Sequence, residues 1–140
     1  HGLHDLHDLV IADTIGAAVP TQVTNRIEAV GDAIGASIDL SCHFHNTRNT
    51  GYANAAAAVA AGVRYLDASV GGIGGCPFAP AATGNIGTED LCFMLRGMGF
   101  DTGIDLDHLI ETAKWAEEKF DAPLPGQVMK AGLFPEVAGQ

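Results

Sequence analysis

Apolar positions along the chain follow two spacings in alternation. Short β-branched runs are separated by stretches in which apolar residues recur every three or four positions. "DLVIADTIG" (8–16) reads as a short buried strand, centred on 9–12 and ended by a turn at Gly16. In "PTQVTNRIEAVGDAIG" (20–35), Val23, Ile27, Val30 and Ile34 fall on one helical face. Pro20 precedes that helix, Thr21 is its expected N-cap, and Gly35 is its expected stop. "SIDLSCHFH" brings a second strand over 38–43, and the Ala-dense "GYANAAAAVAAG" (51–62) a second helix. "VRYLDASVGG" brings a third strand within 64–69. Strand, helix, strand, helix, strand is the signature of parallel βαβ units.

Beyond the third strand the spacing breaks. "GGIGGCPFAPAATGN" (71–85) holds five glycines and two prolines and is expected to be a loop. A loop that long in a compact domain is usually functional. Thr88 is the expected cap of the helix "TEDLCFMLRGMG", with Glu89 and Asp90 in its first turn. Asp105 opens another helix, striped by Leu106, Leu109, Ile110, Ala113, Ala116 and Phe120. The tail "APLPGQVMKAGLFPEVAGQ" is expected to be weakly structured.

Composition narrows the function classes. A net charge of −10 argues against nonspecific nucleic-acid or anionic-membrane binding. No run of about 18 apolar residues is present to cross a membrane. "HGLHDLHDL" has neither a basic start nor the apolar stretch of a secretory signal. Three cysteines with no CxxC pair point to a reduced, intracellular setting, cytoplasm or organelle matrix, rather than a disulfide framework. Cys42 and Cys92 read as structural, and His1, His4 and His7 as surface residues.

Candidate chemistry gathers where the strands end. Asp13 follows the first strand, His43 and His45 the second, and the Gly/Cys loop the third. In parallel α/β proteins the C-terminal strand ends carry the site. Residues i and i+2 of a strand share a face, so "HFH" aims two imidazoles at one spot. Two neutral imidazoles suit a metal completed by oxygen ligands from elsewhere, or they form a hydrogen-bonded polar pair at a strand mouth. Asp13 also reads as a cap for the turn that follows it. Asn85, beside Gly84, also reads as a turn residue, and Cys76 as a small buried apolar residue.

In this order, "DTIG", "HFHNT", "DASVGGIGGCPFAPAATGN" and "TEDL" resemble the C-terminal part of the 3-hydroxy-3-methylglutaryl-CoA lyases. That family belongs to the metal-dependent TIM-barrel lyases and synthases that share an HxH motif. The resemblance runs from about residue 8 to about residue 120. "GGIGGCP" is its specific part, because the related isopropylmalate, citramalate and homocitrate synthases lack that Cys-containing loop. It implies a (β/α)8 barrel, of which this chain covers roughly the last three βα units and C-terminal helices. It implies retro-Claisen cleavage of a 3-hydroxyacyl-CoA to acetyl-CoA and a keto acid, in leucine degradation, by a homodimer. His43, His45 and Asn85 are its implied metal ligands. Cys76 is the implied loop cysteine of proton transfer, and Asp13, with His43, an implied participant in the proton chemistry. Glu89 is an implied supporting acid at the substrate. Mixed imidazole, amide and carboxylate ligation with open positions suits Mg²⁺ or Mn²⁺.

The family's remaining ligand, an aspartate on the first barrel strand, and the arginine before it are not in this sequence. A (β/α)8 barrel takes about 250 residues, so the N-terminal strands of the barrel are an expected partner. The chain also departs from the family's "HDTYGQALAN" by reading "HNTRNTGYAN" (45–54). Arg48 there is suited to a substrate carboxylate or a CoA phosphate, or is a surface arginine. Two other classes stay open: a Claisen-condensing acyltransferase of the same barrel, and a non-catalytic fragment stable only within an assembly.

Overall fold

A computed structural model describes residues 8–35, 38–76 and 79–134, with the backbone alone for 76 and 79–83. Three strands, β1 (Asp8–Asp13), β2 (Asp39–Phe44) and β3 (Tyr65–Asp67), form one sheet in the order β1-β2-β3. Both pairings are parallel, with Val10 opposite Ser41 and Ser41 opposite Tyr65. Helices α1 (Pro20–Ile34) and α2 (Gly51–Ala60) are the crossovers. The expected βαβαβ order therefore stands, with strand ends shifted by one to two residues.

Alternation along the strands separates two faces. Leu40, Cys42 and Phe44 turn toward the helices, where Cys42 and Phe44 pack with Val23, Ile27, Ala55, Ala58, Val63, Ile86 and Leu91. On the other face lie Val10, Ser41, His43, Tyr65 and Asp67. Val10 and Tyr65 are 55% and 54% exposed there. Among the described residues nothing covers that face, and neither outer edge of the sheet is paired. A second cluster, built on Cys92, Leu106, Ile110, Ala113, Ala116, Leu124 and Met129, joins α3 (Thr88–Gly97), α4 (Leu106–Phe120) and α5 (Val128–Ala131). No helix among the described residues is long and apolar enough to cross a membrane.

Several local expectations are corrected. Helix α1 begins at Pro20 with Val19, not Thr21, as N-cap. Proline suits the first helical position, and Gln22 Oε1 accepts from Val19 N at 3.2 Å. Thr88 is likewise the first helical residue and Gly87 the cap. There the Tyr52 hydroxyl accepts from Gly87 N at 2.8 Å, and the glycine has no side chain to cap the first turn. Asp105 caps α4 as expected, accepting from His108 N at 3.1 Å. Phe120, placed on the core stripe, is 61% exposed because α4 ends there.

The 71–85 segment is not all loop. A 3₁₀ turn (Val70–Gly72) leads into an antiparallel ribbon of β4 (Gly75–Cys76) and β5 (Ala79–Thr83). The tail is also more ordered than expected over 124–131. Leu124 and Met129 are buried in the second cluster, and Asp90 caps the start of α5. His1, His4 and His7 lie outside the described residues.

Candidate metal and active site

The site grows from the end of β2. His43 and His45, two residues apart on nearly extended chain, bring their ring centroids to 5.1 Å with planes at 72°. The i, i+2 geometry holds. Parallel register then sets His43 opposite Asp67, the last residue of β3. The two meet as His43 Nδ1 and Asp67 Oδ1 at 2.8 Å. The carboxylate can only accept, so Nδ1 donates and Nε2 faces away from Asp67, the arrangement by which carboxylates orient metal-binding histidines.

Asn85 arrives from the far end of the glycine-rich segment. Chain 84–86 runs antiparallel past the end of β2, with Asn46 N donating to Gly84 O (3.2 Å) and Ile86 N to Phe44 O (3.3 Å). This makes His45 and Asn85 bridge partners. The Asn85 amide is pinned by Nδ2 donating to Ile73 O at 2.9 Å. Gly74 (φ 129°) makes this possible, since a Cβ there would stand 2.5 Å from Asn85 Nδ2. Its Oδ1 is therefore left over.

That oxygen and His45 Nδ1 are both buried and lack a hydrogen-bond partner. Of six such atoms among the described residues, these two belong to bridge partners beside a second imidazole, where a bound group would satisfy them. Burial, and then neighbouring His43, hold His45 below the ordinary histidine pKa, against the opposing pull of Asp13 and Asp67. Its neutral form has the lone pair a metal needs. Among the described residues, no three His, Cys, Asp or Glu side chains converge on one point. The donor set here is two imidazoles and one amide oxygen, which fits a divalent ion with positions open to further oxygen ligands.

The other predicted residues are placed as follows. Both Asp13 oxygens are engaged by the turn, Oδ1 accepting from Ala17 N and Oδ2 from Ala18 N, each at 3.0 Å. Arg48 Nη1 donates to the carbonyls of Ile15 (3.0 Å) and Gly16 (3.1 Å), tying the β1–α1 turn to the β2–α2 turn. Glu89 is fully buried beneath the glycine-rich segment, with Oε2 accepting from Gly71 N at 2.9 Å. Burial pushes its pKa up, and nearby Asp90 adds to this. The Cys76 side chain lies outside the described residues. Cys42 and Cys92 are buried and free.

Asp67 is the site residue that sequence reasoning missed. Its signal was its position: like Asp13, it is an acid at a strand's C-terminal end, in line with His43 once the strands pair in parallel.

A family model described as HMGL-like matches residues 6–115. An (R)-citramalyl-CoA lyase of Chloroflexus aurantiacus is 50% identical over 131 residues, 93% of this chain and 41% of that protein. A solved HMG-CoA lyase from Acinetobacter baumannii, in complex with coenzyme A and 3-methylmalate, is 44% identical with a TM-score of 0.85. It is matched over 93% of this chain and 44% of its own. Bacillus subtilis HMG-CoA lyase is 42% identical with a TM-score of 0.83, over 91% of this chain and 42% of its own. The chain thus spans 41 to 44% of the length of these relatives. Its three βα units are part of an α/β barrel of the same fold. On the extent of the match to the family model and the agreement in fold, the chain belongs to the HMGL-like family.

Proposed function

We propose that the chain is the metal-holding C-terminal part of a carbon–carbon lyase. It cleaves a 3-hydroxyacyl-CoA with a free carboxylate, of the 3-hydroxy-3-methylglutaryl-CoA or citramalyl-CoA kind, to acetyl-CoA and a keto acid. The observation that carries this reading is the pair of unpartnered buried atoms, His45 Nδ1 and Asn85 Oδ1, beside the Asp67-oriented His43. His43, His45 and Asn85 would hold Mg²⁺ or Mn²⁺. When bound, such an ion polarises the substrate oxygens and lowers the pKa of the hydroxyl.

This chain's residues supply the rest of what it contributes. His43 is oriented by Asp67, and burial favours the neutral form of His45. Asn85 is held by Ile73 O, so its amide cannot turn away. In the reaction a base takes the hydroxyl proton, the carbon–carbon bond breaks to give a ketone, and acetyl-CoA leaves as its enolate. The enolate then takes a proton. Cys76, on a Gly-flanked ribbon, is the residue of this chain suited to that transfer. Asp13, held by the turn at Ala17 and Ala18, is the acid of this chain assigned to assist the proton chemistry. Arg48 and Glu89 lie in the turns and floor around the site. The partners in this reading are the acyl-CoA and the rest of the barrel, which brings the remaining aspartate and arginine to the open face carrying Val10, Ser41 and Tyr65.

Full-length protein stripped of metal and assayed with each of the two acyl-CoA substrates tests the proposal. Acetyl-CoA release that appears on adding Mg²⁺ or Mn²⁺, and is lost in His43→Ala, is the expected result. Condensation of acetyl-CoA with a 2-oxo acid, without cleavage of either substrate, would mark the condensing class instead. No turnover of either kind would mark a non-catalytic protein.

A further inference from the structure

Two adjacent carboxylates at the start of α3 hold the backbone of two other segments. Glu89 Oε2 accepts from Gly71 N, at the neck of the glycine-rich segment. Asp90 accepts from Gln127 N through both oxygens (3.1 and 3.0 Å) and from Val128 N at 2.6 Å. It also accepts from the Tyr52 hydroxyl at 2.8 Å. One helix start thus grips the neck with one residue and the tail with the next.

The tail and neck also meet directly. Gly126 N donates to Gly71 O at 3.0 Å. A Cβ on Gly71 would stand 2.5 Å from Leu124 Cδ1, one on Gly72 would meet Pro125, and one on Gly126 would collide with Glu89 Oε1. Lys130 Nζ donates to Leu124 O at 2.6 Å and closes the segment on itself. From Gly72 the chain runs to Ile73, whose carbonyl pins the Asn85 amide. Tail, neck and Asn85 enclose one polar cleft of about 410 Å³.

We propose that residues 124–128 are a positioning strap that sets the neck at Gly71–Gly72 and, through Ile73 O, the orientation of the Asn85 amide. Glu89 and Asp90 are its anchors, acting through the backbone N–H groups of the neck and the tail. The strap's effect on metal binding rests on the reading of Asn85 as a ligand; its effect on the neck does not.

The test uses metal-free full-length protein carrying Gly126→Ala or Lys130→Met. Two readouts need no metal: amide hydrogen exchange at the neck, and the NMR resonances of the Asn85 side-chain amide. In Gly126→Ala, exchange at Gly71, Gly72 and Gly84 should speed by about tenfold or more while the β1 and β2 amides keep their rates. The Asn85 side-chain resonances should shift toward those of a free amide. Lys130→Met, a change at an exposed residue, should move the same signals less, and it decides the matter if Gly126→Ala does not fold. Faster exchange confined to 124–128, or an unmoved Asn85 amide, overturns the strap. If the neck and Asn85 respond but Asn85→Ala leaves Mn²⁺ affinity unchanged, the strap stands and the metal reading of Asn85 fails.

Discussion

Removing the Asp67 carboxylate separates orientation from stability. Asp67 is 68% exposed and His43 25% exposed, and they meet at 2.8 Å. An exposed pair of this kind contributes about 0–1 kcal/mol to folding. Its effect on a metal is larger, because loss of a carboxylate that orients a ligating histidine typically costs about 10–100-fold in affinity. That is about 1.4–2.7 kcal/mol. Asp67→Ala should therefore leave the urea midpoint nearly unchanged while Mn²⁺ affinity falls by an order of magnitude or more. Asp67→Asn keeps an acceptor for His43 Nδ1–H and should lose much less. Titration of metal-free full-length protein with Mn²⁺, followed by electron paramagnetic resonance near pH 8, reads the affinities. The orienting role is refuted if Asp67→Ala binds Mn²⁺ within about twofold of wild type. Equal large losses in both variants would assign the effect to charge instead of orientation.

Three further outcomes are expected. Asn85→Ala removes the proposed ligand and the bond to Ile73 O, so Mn²⁺ affinity should fall and stability drop by about 1 kcal/mol, as read by metal titration and urea unfolding. Cys76→Ala should lower turnover far more than Mn²⁺ affinity; equal loss of both in parallel assays would make Cys76 a structural residue. Burial first, and then Asp67, push the Cys42 thiol from 9.0 to about 11. The folded chain keeps this proton after the unfolded chain has lost it, so the Cys42 contribution to stability is full below pH 9 and is lost as pH rises toward 11. Urea unfolding across that range should show the decline, with a shallower slope in Cys42→Ala. Alkylation of native protein near pH 8 should spare Cys42.

Much of this protein was legible because its signals are local. The step of two in "HFH" and the steps of three and four in 23–34 are consequences of backbone geometry that any strand or helix must obey. They were enough to place the imidazoles together and the helices on one side of a parallel sheet. The choice between Thr21 and Pro20 as a helix start was less legible, since both residues favour helix beginnings and Gln22 settled it. The glycine-rich stretch read as loop because its short ribbon has no apolar alternation to announce it. Asp67 against His43, Asn85 against His45, and Glu89 and Asp90 against residues 71 and 127 join segments 18 to 40 positions apart. Such contacts depend on strand register and on which chain passes over which. Only the packing of the sheet, the neck and the tail decides that, because no local spacing specifies the distance between elements.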